Sequence, residues 1–424
     1  MPAATAVPTV AAPAAATPAA TPTATPSAVP TASAALEAGS VRVRTDVLDV
    51  EIGLAGGELQ RADLLVYPLV KGEARPVRLL NRDGAGFYVL QSGLAGPAGS
   101  TRPTHLANFG SGGLADVKLP DLLDEVRVPL TWTDGAGVTI TKTFVFRRGQ
   151  YRIGLEYKVE NRSVDAWQAA SYLQILRDDI PIERSMFDVE SYAFKGPAYY
   201  DGTKYQKLAL DDDDSGKLAR DITAGWIAGM QHHFVTAVVP APGASYRHAL
   251  KIDGQQYLLS VAGPLQSVAP GADATFNETL FVGPKLQAQL EQTGPKLDLV
   301  ADYGVLTILA KPLFWLLEQA HKLTGNWGWA IVLITFLLKL VFYPLSETSG
   351  KSMAKMRVLA PRIKNLQDTY KEDREKLGKA MMELYQREKI NPLAGCLPIL
   401  IQMPVFFAFY WVLLESVEMR QAPF

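Results

Sequence analysis

The chain has 424 residues, with 42 basic and 43 acidic side chains and a single cysteine, Cys396. The near-zero net charge argues against nucleic-acid specificity, which normally needs a basic surplus or patch, and one cysteine excludes a disulfide scaffold and a thiolate-rich metal site. The length predicts two or three domains. Because the sequence has no nucleophile elbow, phosphate loop or HExxH motif, we predict no enzyme activity, no cofactor and no metal.

The first 40 residues are predicted to form a disordered tether. They consist largely of Ala, Pro and Thr, and no charged side chain precedes Glu37. Such a segment cannot bury enough apolar surface to offset the entropy of ordering, and its prolines hold it extended.

Residues 41–300 are predicted to form an antiparallel β-sandwich closed by a short helix near 286–297. Apolar side chains alternate at period two, as in Val41-Arg-Val-Arg-Thr-Asp-Val, and Gly, Asn and Asp separate the runs. Many short strands between turns are typical of a large sandwich. If His232 and His233 lie on a strand, their rings point to opposite faces, which argues against a shared metal.

Two strongly apolar segments, 325–345 and 392–417, are candidates for transmembrane helices. The first carries one charge between residues 327 and 345, Lys339, and the second has Gln402 as its strongly polar member between 394 and 414. Residues 301–324 mix apolar and charged side chains and predict an amphipathic helix at the membrane surface. If both segments cross the membrane, residues 418–424 lie on the same side as residues 41–300, which is predicted to be the periplasmic side.

The segment between the two candidate spans, 346–391, predicts a helical hairpin. Pro361 can open one helix that places Ile363, Leu366 and Tyr370 on one face, and a second helix repeats that spacing up to Tyr385. Residues 346–390 hold eleven Lys or Arg against seven Asp or Glu, whereas residues 1–300 hold 27 against 32. Since short basic loops stay cytoplasmic, the hairpin is predicted in the cytoplasm and the β-domain, in a bacterium, in the periplasm. The hairpin is either a passive connector or a docking surface for cytosolic partners.

Lys339 and Gln402 are the candidate site residues inside the membrane. A charge at the centre of a bilayer costs about 2.5–3.5 kcal/mol on insertion scales, so Lys339 either faces a polar cavity or extends its stem to the nearby interface. Gln402 is predicted at a similar depth on the cytoplasmic side of an antiparallel helix. The pair predicts a wet indentation, and an interhelical hydrogen bond from Gln402 is the simpler alternative.

Several motifs resemble the YidC-type membrane protein insertases of Gram-negative bacteria. The most specific is Asn391-Pro-Leu-Ala-Gly-Cys-Leu-Pro-Ile-Leu-Ile-Gln-Met-Pro-Val-Phe, and others are Gly325-Asn-Trp-Gly-Trp-Ala-Ile, Ser352-Met-Ala-Lys-Met-Arg, Glu418-Met-Arg-Gln-Ala-Pro-Phe and Val43-Arg-Thr-Asp-Val-Leu-Asp-Val. The resemblance covers about residues 41–424. It implies a multidomain membrane protein with a periplasmic antiparallel β-supersandwich and an α-helical transmembrane region that encloses a hydrophilic groove.

The resemblance also implies roles for particular residues. The family usually has an arginine where this chain has Lys339. The lysine keeps the positive charge but lacks the planar fork of donors of a guanidinium group. The resemblance also implies that Gln402 lines the groove. Members of the family begin with an anchor helix and continue with three more membrane helices, so the chain is expected to be a fragment or a truncated product.

The sequence therefore predicts an inner-membrane insertase and folding chaperone. Its expected partners are nascent inner-membrane proteins, the Sec translocon with its accessory subunits, the ribosome and the lipid bilayer. On the cytoplasmic hairpin, the candidate contact residues are Met353, Met356, Arg357, Tyr370 and Tyr385. Two alternatives remain: a membrane-anchored periplasmic carbohydrate-binding protein, and a transporter subunit, which would need internal repeats and a path through both leaflets.

Overall fold

The structure, a computed structural model, describes residues 39–83, 86–179, 193–210, 218–301, 303–371, 373–388 and 392–423, without the side chains of 305 and 392–399. The chain forms two compact units, the β-unit (Met1–Ala301) and the helical unit (Asp302–Phe424). Almost all of the predicted tether lies outside the described residues.

The strands of the β-unit are β1 (Ser40–Arg44), β2 (Leu48–Gly53), β3 (Glu58–Pro68), β4 (Pro76–Asn81), β5 (Tyr88–Ala95), β6 (Asp116–Lys118), β7 (Glu125–Thr133), β8 (Val138–Arg147), β9 (Arg152–Asn161), β10 (Trp167–Asp178), β11 (Gly196–Tyr200), β12 (Tyr205–Lys207), β13 (Ala219–Thr223), β14 (Trp226–Met230), β15 (Phe234–Val239), β16 (Ser245–Asp253), β17 (Gln256–Ala262), β18 (Gln266–Val268) and β19 (Asp273–Pro284). The α-helices in the described part of the chain are α1 (Gln287–Thr293), α2 (Thr307–Thr324), α3 (Trp327–Val341), α4 (Tyr343–Thr369), α5 (Arg374–Arg387) and α6 (Pro392–Glu415).

The described strands form two sheets. One has eleven strands in the order β13-β16-β17-β10-β5-β4-β3-β2-β1-β6, with β18 paired to β10, and the other has eight in the order β12-β11-β14-β15-β19-β9-β8-β7. Neighbouring strands are antiparallel except for β1 and β6, which are parallel. The structure thus confirms the predicted antiparallel β-rich domain, followed by a helical region.

Buried polar contacts join the two sheets. The Tyr88 hydroxyl on β5 donates to the Gly229 carbonyl on β14 (3.2 Å). Ser171 on β10 donates to the Glu278 carboxylate on β19 (2.6 Å), which also accepts from Tyr246 and the Ala241 amide. Burial raises the pKa of Glu278 to about 7.

Lys142 is the most deeply buried cation among the described residues. Its Nζ donates to the carbonyls of Gly56 and Gly57 (both 2.8 Å) and of Ser92 (3.1 Å), so β8 of one sheet is tied to the other sheet. Gly57 has a φ of +57°, and a Cβ there would lie 2.9 Å from this Nζ. Burial lowers the pKa of Lys142 to about 7, and nearby Glu58 opposes that shift.

The condition set for the histidine pair, that both residues lie on a strand, is not met. His232 and His233 precede β15 in a bend, and their rings stack with centroids 3.8 Å apart. A bend does not impose the alternation of a strand, so both rings can turn to the same side. The sequence also contains a run of four acidic residues, Asp211–Asp214, whose pattern predicts a solvated turn, and this run lies outside the described residues.

In the helical unit, α2 packs against both α3 and α6. The buried core of this unit is formed by Tyr303, Ala310, Leu313, Phe314, Leu317, Ala320, Ala330, Ile334, Ala408, Phe409 and Val412. Gly325, with a φ of +65°, ends α2, and the Asn326 side chain accepts from the Trp329 amide to cap α3.

A sharp break separates α3 from α4. Pro344, in the first turn of α4, has no amide hydrogen to donate to Leu340, so the helical ladder is interrupted there. By length and hydropathy, no single described helix qualifies as a membrane span, but α3 and α4 qualify as a pair bent by 59°.

The loop between α3 and α6 forms two helices, α4 and α5. Arg362 on α4 bonds to Glu388 just after α5 (2.7 Å), which holds the two helices side by side. The expectation that Pro361 opens a helix is wrong, because α4 begins at Tyr343 and contains Pro361. A proline inside a helix removes one hydrogen bond and adds local strain. In a 27-residue helix the hydrogen bonds of the other turns offset that loss, so α4 continues through Pro361.

Candidate functional site

Lys339 lies in the last turn of α3 and its side chain reaches α6. Its Nζ is 5.6 Å from the centre of the Phe406 ring, within the range of a cation–π contact. Lys339 is exposed and Phe406 half-buried. The cation therefore stands over an aromatic surface and remains accessible to an incoming group.

Gln402 lies one helical turn before Phe406 on α6 and bonds to α4. Its Nε2 donates to the Ser346 Oγ (3.2 Å), in the first turn of α4. An interhelical hydrogen bond, the simpler alternative for Gln402, is thus present, and it brings the amide to the same corner of the unit as Lys339. Lys339, Ser346 and Gln402 form what we call the polar corner, where α3 ends, α4 begins and α6 passes.

An open hollow of about 310 Å³ continues from the polar corner along α6. The described residues that line it are Gln402, Met403, Phe406, Phe407 and Tyr410. Their spacing of one and four residues keeps them on one side of the helix. Met403, Phe407 and Tyr410 are 44%, 51% and 47% exposed, so this face presents a wide apolar surface.

The surface therefore changes character along α6. It begins with a cation, a hydroxyl and an amide and continues with aromatic rings and a thioether. A polypeptide segment that has a polar flank and an apolar stretch matches this order.

Sequence reasoning missed Phe406, Ser346 and Tyr410. Phe406 and Tyr410 lie in the stretch after Gln402, which is apolar up to residue 414, so hydropathy does not distinguish one side of the helix from another there. The spacing of Gln402, Phe406 and Tyr410, four residues each, was the available signal, because it marks one stripe of a helix.

The five predicted hairpin residues are spread over α4 and α5. Met353 and Arg357 on α4 are exposed, whereas Met356, Tyr370 and Tyr385 are half-buried. Lys351 pairs with Glu347 (2.7 Å), so one of the cations in this stretch of α4 is neutralised locally.

The β-unit contains a separate cleft of about 470 Å³. Its polar lining includes Asp63, Arg78 and Asp178, and no described histidine lines it. Asp63 pairs with Arg78 (2.8 Å), and Asp178 accepts from the Phe87 amide and from Gln256. The carboxylates are thus engaged within the fold. Among the described residues, no group of three or more His, Cys, Asp or Glu is placed to hold a metal.

Two family models together match nearly the whole of the described chain. The YidC periplasmic domain matches residues 40–316, and the 60Kd inner membrane protein matches residues 319–424. Neither description names a catalysed reaction.

Full-length relatives agree with the two models. The membrane protein insertase YidC of Thioalkalivibrio sulfidiphilus is 47% identical over 394 residues, which are 90% of this chain and 70% of that protein. The membrane protein insertase YidC of Nitrosococcus oceani is 45% identical over 388 residues, 91% of this chain and 70% of that protein. Among solved structures, a putative aldose 1-epimerase from Escherichia coli is 11% identical, with a TM-score of 0.33. The match covers 57% of this chain and 98% of that protein, and the likeness is too weak to support an argument.

Proposed function

The chain belongs to the family of YidC membrane protein insertases, and we propose on that premise that it transfers segments of nascent proteins into the bacterial inner membrane through the polar corner and the adjoining face of α6. The observation that carries the proposal is the Lys339 cation, held 5.6 Å from the ring of Phe406, which itself lies one helical turn from Gln402 on α6.

The proposed step lowers the cost of moving a polar flank out of water. A polar group that loses water without gaining a partner costs several kcal/mol, on the order of 2–7. Lys339 offers a cation to acidic or carbonyl groups, and the Gln402 amide and Ser346 hydroxyl offer hydrogen bonds. The flank can thus leave water in stages while its apolar segment moves along Met403, Phe407 and Tyr410 toward lipid. No covalent bond is made or broken.

We place the helical unit in the membrane with the polar corner toward the cytoplasm. In this proposal residues 325–345 and 392–417 are the spans, α2 lies in the opposite interface, and α4 with α5 projects into the cytoplasm. The basic surplus of residues 346–390 supports this orientation, because positively charged loops are retained in the cytoplasm. The β-unit and residues 418–424 are then periplasmic.

The hairpin is proposed as the surface that receives partners. Exposed Met353 offers a flexible apolar contact and exposed Arg357 a cation, a combination suited to a polypeptide or a ribosome. The Sec translocon and its accessory subunits are proposed as partners on the same functional grounds.

Site-specific photo-cross-linking tests the proposed path. A photoreactive phenylalanine analogue at Phe407 or Tyr410 is expected to cross-link to a ribosome-bound membrane substrate. Leu337 supplies the control, because it is 42% exposed on α3 and two residues, about 200° of helical rotation, from Lys339. Equal cross-linking from Leu337 and from Phe407 would contradict a defined path along α6.

A further inference from the structure

The cleft of about 470 Å³ in the β-unit has no part in the proposed insertion step. It lies beside the β3–β4 hairpin, and residues from the start of β5, the end of β10 and the β14–β15 turn complete its lining. Its volume is within the range of sites that bind small molecules or short segments of chain, roughly 300–1,000 Å³. All of its described lining belongs to the β-unit.

The two carboxylates that line the cleft are already engaged. Asp63 forms a salt bridge with Arg78 (2.8 Å), and Asp178 accepts hydrogen bonds from the Phe87 amide (2.9 Å) and from Gln256 (2.8 Å). Because donors of the fold bind both carboxylates, neither is left to attract a cationic ligand.

Tyr88 is the one aromatic residue among the described lining residues, and its ring is not open to a ligand. It is 2% exposed, and the guanidinium of Arg177 lies over the ring, 4.7 Å from its centre. Arg177 also donates to the Met230 carbonyl (2.8 Å), which holds it in place. A sugar ring would therefore find no aromatic face on which to stack.

Two polar groups of the cleft have no partner among the described residues. The guanidinium of exposed Arg75 makes no hydrogen bond or ion pair with that part of the chain, and neither does the carboxamide of half-buried Gln231. A guanidinium presents a planar fork of donors that matches a carboxylate, and a carboxamide can both donate to and accept from a peptide group.

The β3–β4 hairpin places an apolar surface beside Arg75. The Leu69 amide donates to the Arg75 carbonyl (2.8 Å), so the two residues are neighbours where the loop closes. Leu69 is 41% exposed, and Val66 and Val70 of the same hairpin are 58% and 50% exposed. A free cation next to exposed apolar side chains matches a ligand that carries an acidic group and an apolar group close together.

We propose that this cleft binds an extended polypeptide segment with an acidic side chain next to an apolar one. Arg75 binds the carboxylate, Gln231 bonds to a peptide group, and Leu69 and Pro76 contact the apolar side chain. One free cation matches a single carboxylate better than a phosphate group, whose charge approaches −2. The cleft thus gives the β-unit a holding role for unfolded polypeptide, separate from the polar corner.

Fluorescence anisotropy with labelled peptides tests the cleft in the full chain in detergent. Every protein carries Lys339→Leu, so that the polar corner contributes no cation. The probe is a short fluorescein-labelled peptide of alternating leucine, serine and glutamate, and the matched peptide has glutamine in place of glutamate. Arg75→Gln and Gln231→Leu each remove one free group. Arg44→Gln is the control, because Arg44 is an exposed cation of β1 that does not line the cleft.

The glutamate peptide is expected to bind more tightly than the glutamine peptide. Arg75→Gln should weaken its binding about ten-fold or more, as expected for the loss of a charge-assisted hydrogen bond, and should abolish the difference between the peptides. Gln231→Leu should weaken both peptides alike, and Arg44→Gln should change neither. Equal binding of the two peptides, or binding that Arg75→Gln does not alter, would overturn the proposal.

Photo-cross-linking locates the bound peptide. A benzophenone group at one leucine of the glutamate peptide is expected to label residues 66–79, which contain the β3–β4 hairpin. Labels confined to the helical unit would refute the cleft as the binding site and leave the proposed function standing. No detectable binding of the glutamate peptide would also refute the cleft, and it would leave the role of the polar corner untouched because Lys339 is absent from these proteins.

Discussion

The Lys339 Nζ and the Phe406 ring lie 5.6 Å apart, and this contact joins the end of α3 to the exposed face of α6. The contact does not enclose the cation, because Lys339 remains exposed. A cation–π contact at an exposed site contributes about 0.5–1 kcal/mol, so it can orient the ammonium and yet be exchanged for a contact with substrate.

The bond between Gln402 and Ser346 is predicted to couple α6 to the start of α4. A double-mutant cycle of Gln402→Leu and Ser346→Ala, measured by thermal unfolding in detergent, should give a coupling energy of about 0.5–1.5 kcal/mol. Fully additive effects of the two substitutions would show that the hydrogen bond does not form.

Lys142→Met is predicted to destabilise the β-unit by roughly 2–4 kcal/mol. The substitution keeps an unbranched side chain but removes its terminal nitrogen, so three buried carbonyls lose their donor, each hydrogen bond being worth about 1 kcal/mol. Chemical denaturation measures the change. Lys158→Met on the neighbouring strand β9 is the control, since Lys158 is exposed and should tolerate the change. If Lys142→Met left the free energy of unfolding unchanged, the three carbonyls would have found other donors.

Glu278 is predicted to make the stability of the β-unit pH-dependent. Its folded pKa of about 7 lies above the ordinary value of 4.5, so the folded state holds a proton that the unfolded chain releases. The stabilisation is present below about pH 4.5 and is lost as the pH rises to about 7, by up to ~3 kcal/mol relative to Glu278→Gln. Urea denaturation of both proteins between pH 5 and 8 measures it, and parallel pH profiles would contradict the prediction.

Arg357→Glu is predicted to weaken the binding of ribosome–nascent-chain complexes. The substitution reverses an exposed charge on α4, and the loss should shrink at high salt because exposed charges are screened. Co-sedimentation with vesicles that contain the protein measures the binding. Lys379→Glu on α5 is the matched reversal outside the proposed contact residues, and an equal effect from both would indicate general charge attraction instead.

The period-two pattern predicted the β-rich domain because inward positions are filled by apolar side chains. Lys142 follows the same phase as Val138, Ile140 and Phe144, so the pattern predicted its burial. Its three carbonyl partners were not predictable, because they come from distant parts of the chain, the β2–β3 turn and strand β5. The parallel pairing of β6 with β1 was not predictable, because β6 has three residues and no distinctive pattern.

In the helical unit, the sequence identified the two polar residues and not their neighbours. Lys339 and Gln402 stand out as polar side chains in apolar segments, whereas Phe406 becomes distinctive only through its contact with Lys339. The break at Pro344 and the continuous helix through Pro361 show that proline acts according to context, since neighbouring turns decide whether a lost hydrogen bond ends a helix.

The most direct test of the account measures insertion of a single-span substrate with an acidic flank, in bacteria depleted of their own insertase. At equal protein levels, Lys339→Leu should reduce the insertion rate about five-fold or more, as expected for the loss of ~1 kcal/mol of cation contact. Lys339→Arg should retain insertion, and Lys322→Leu, which removes an exposed cation near the other end of α3, should match the unaltered protein. Unaltered insertion by Lys339→Leu across several acidic-flank substrates would contradict the central role of this cation.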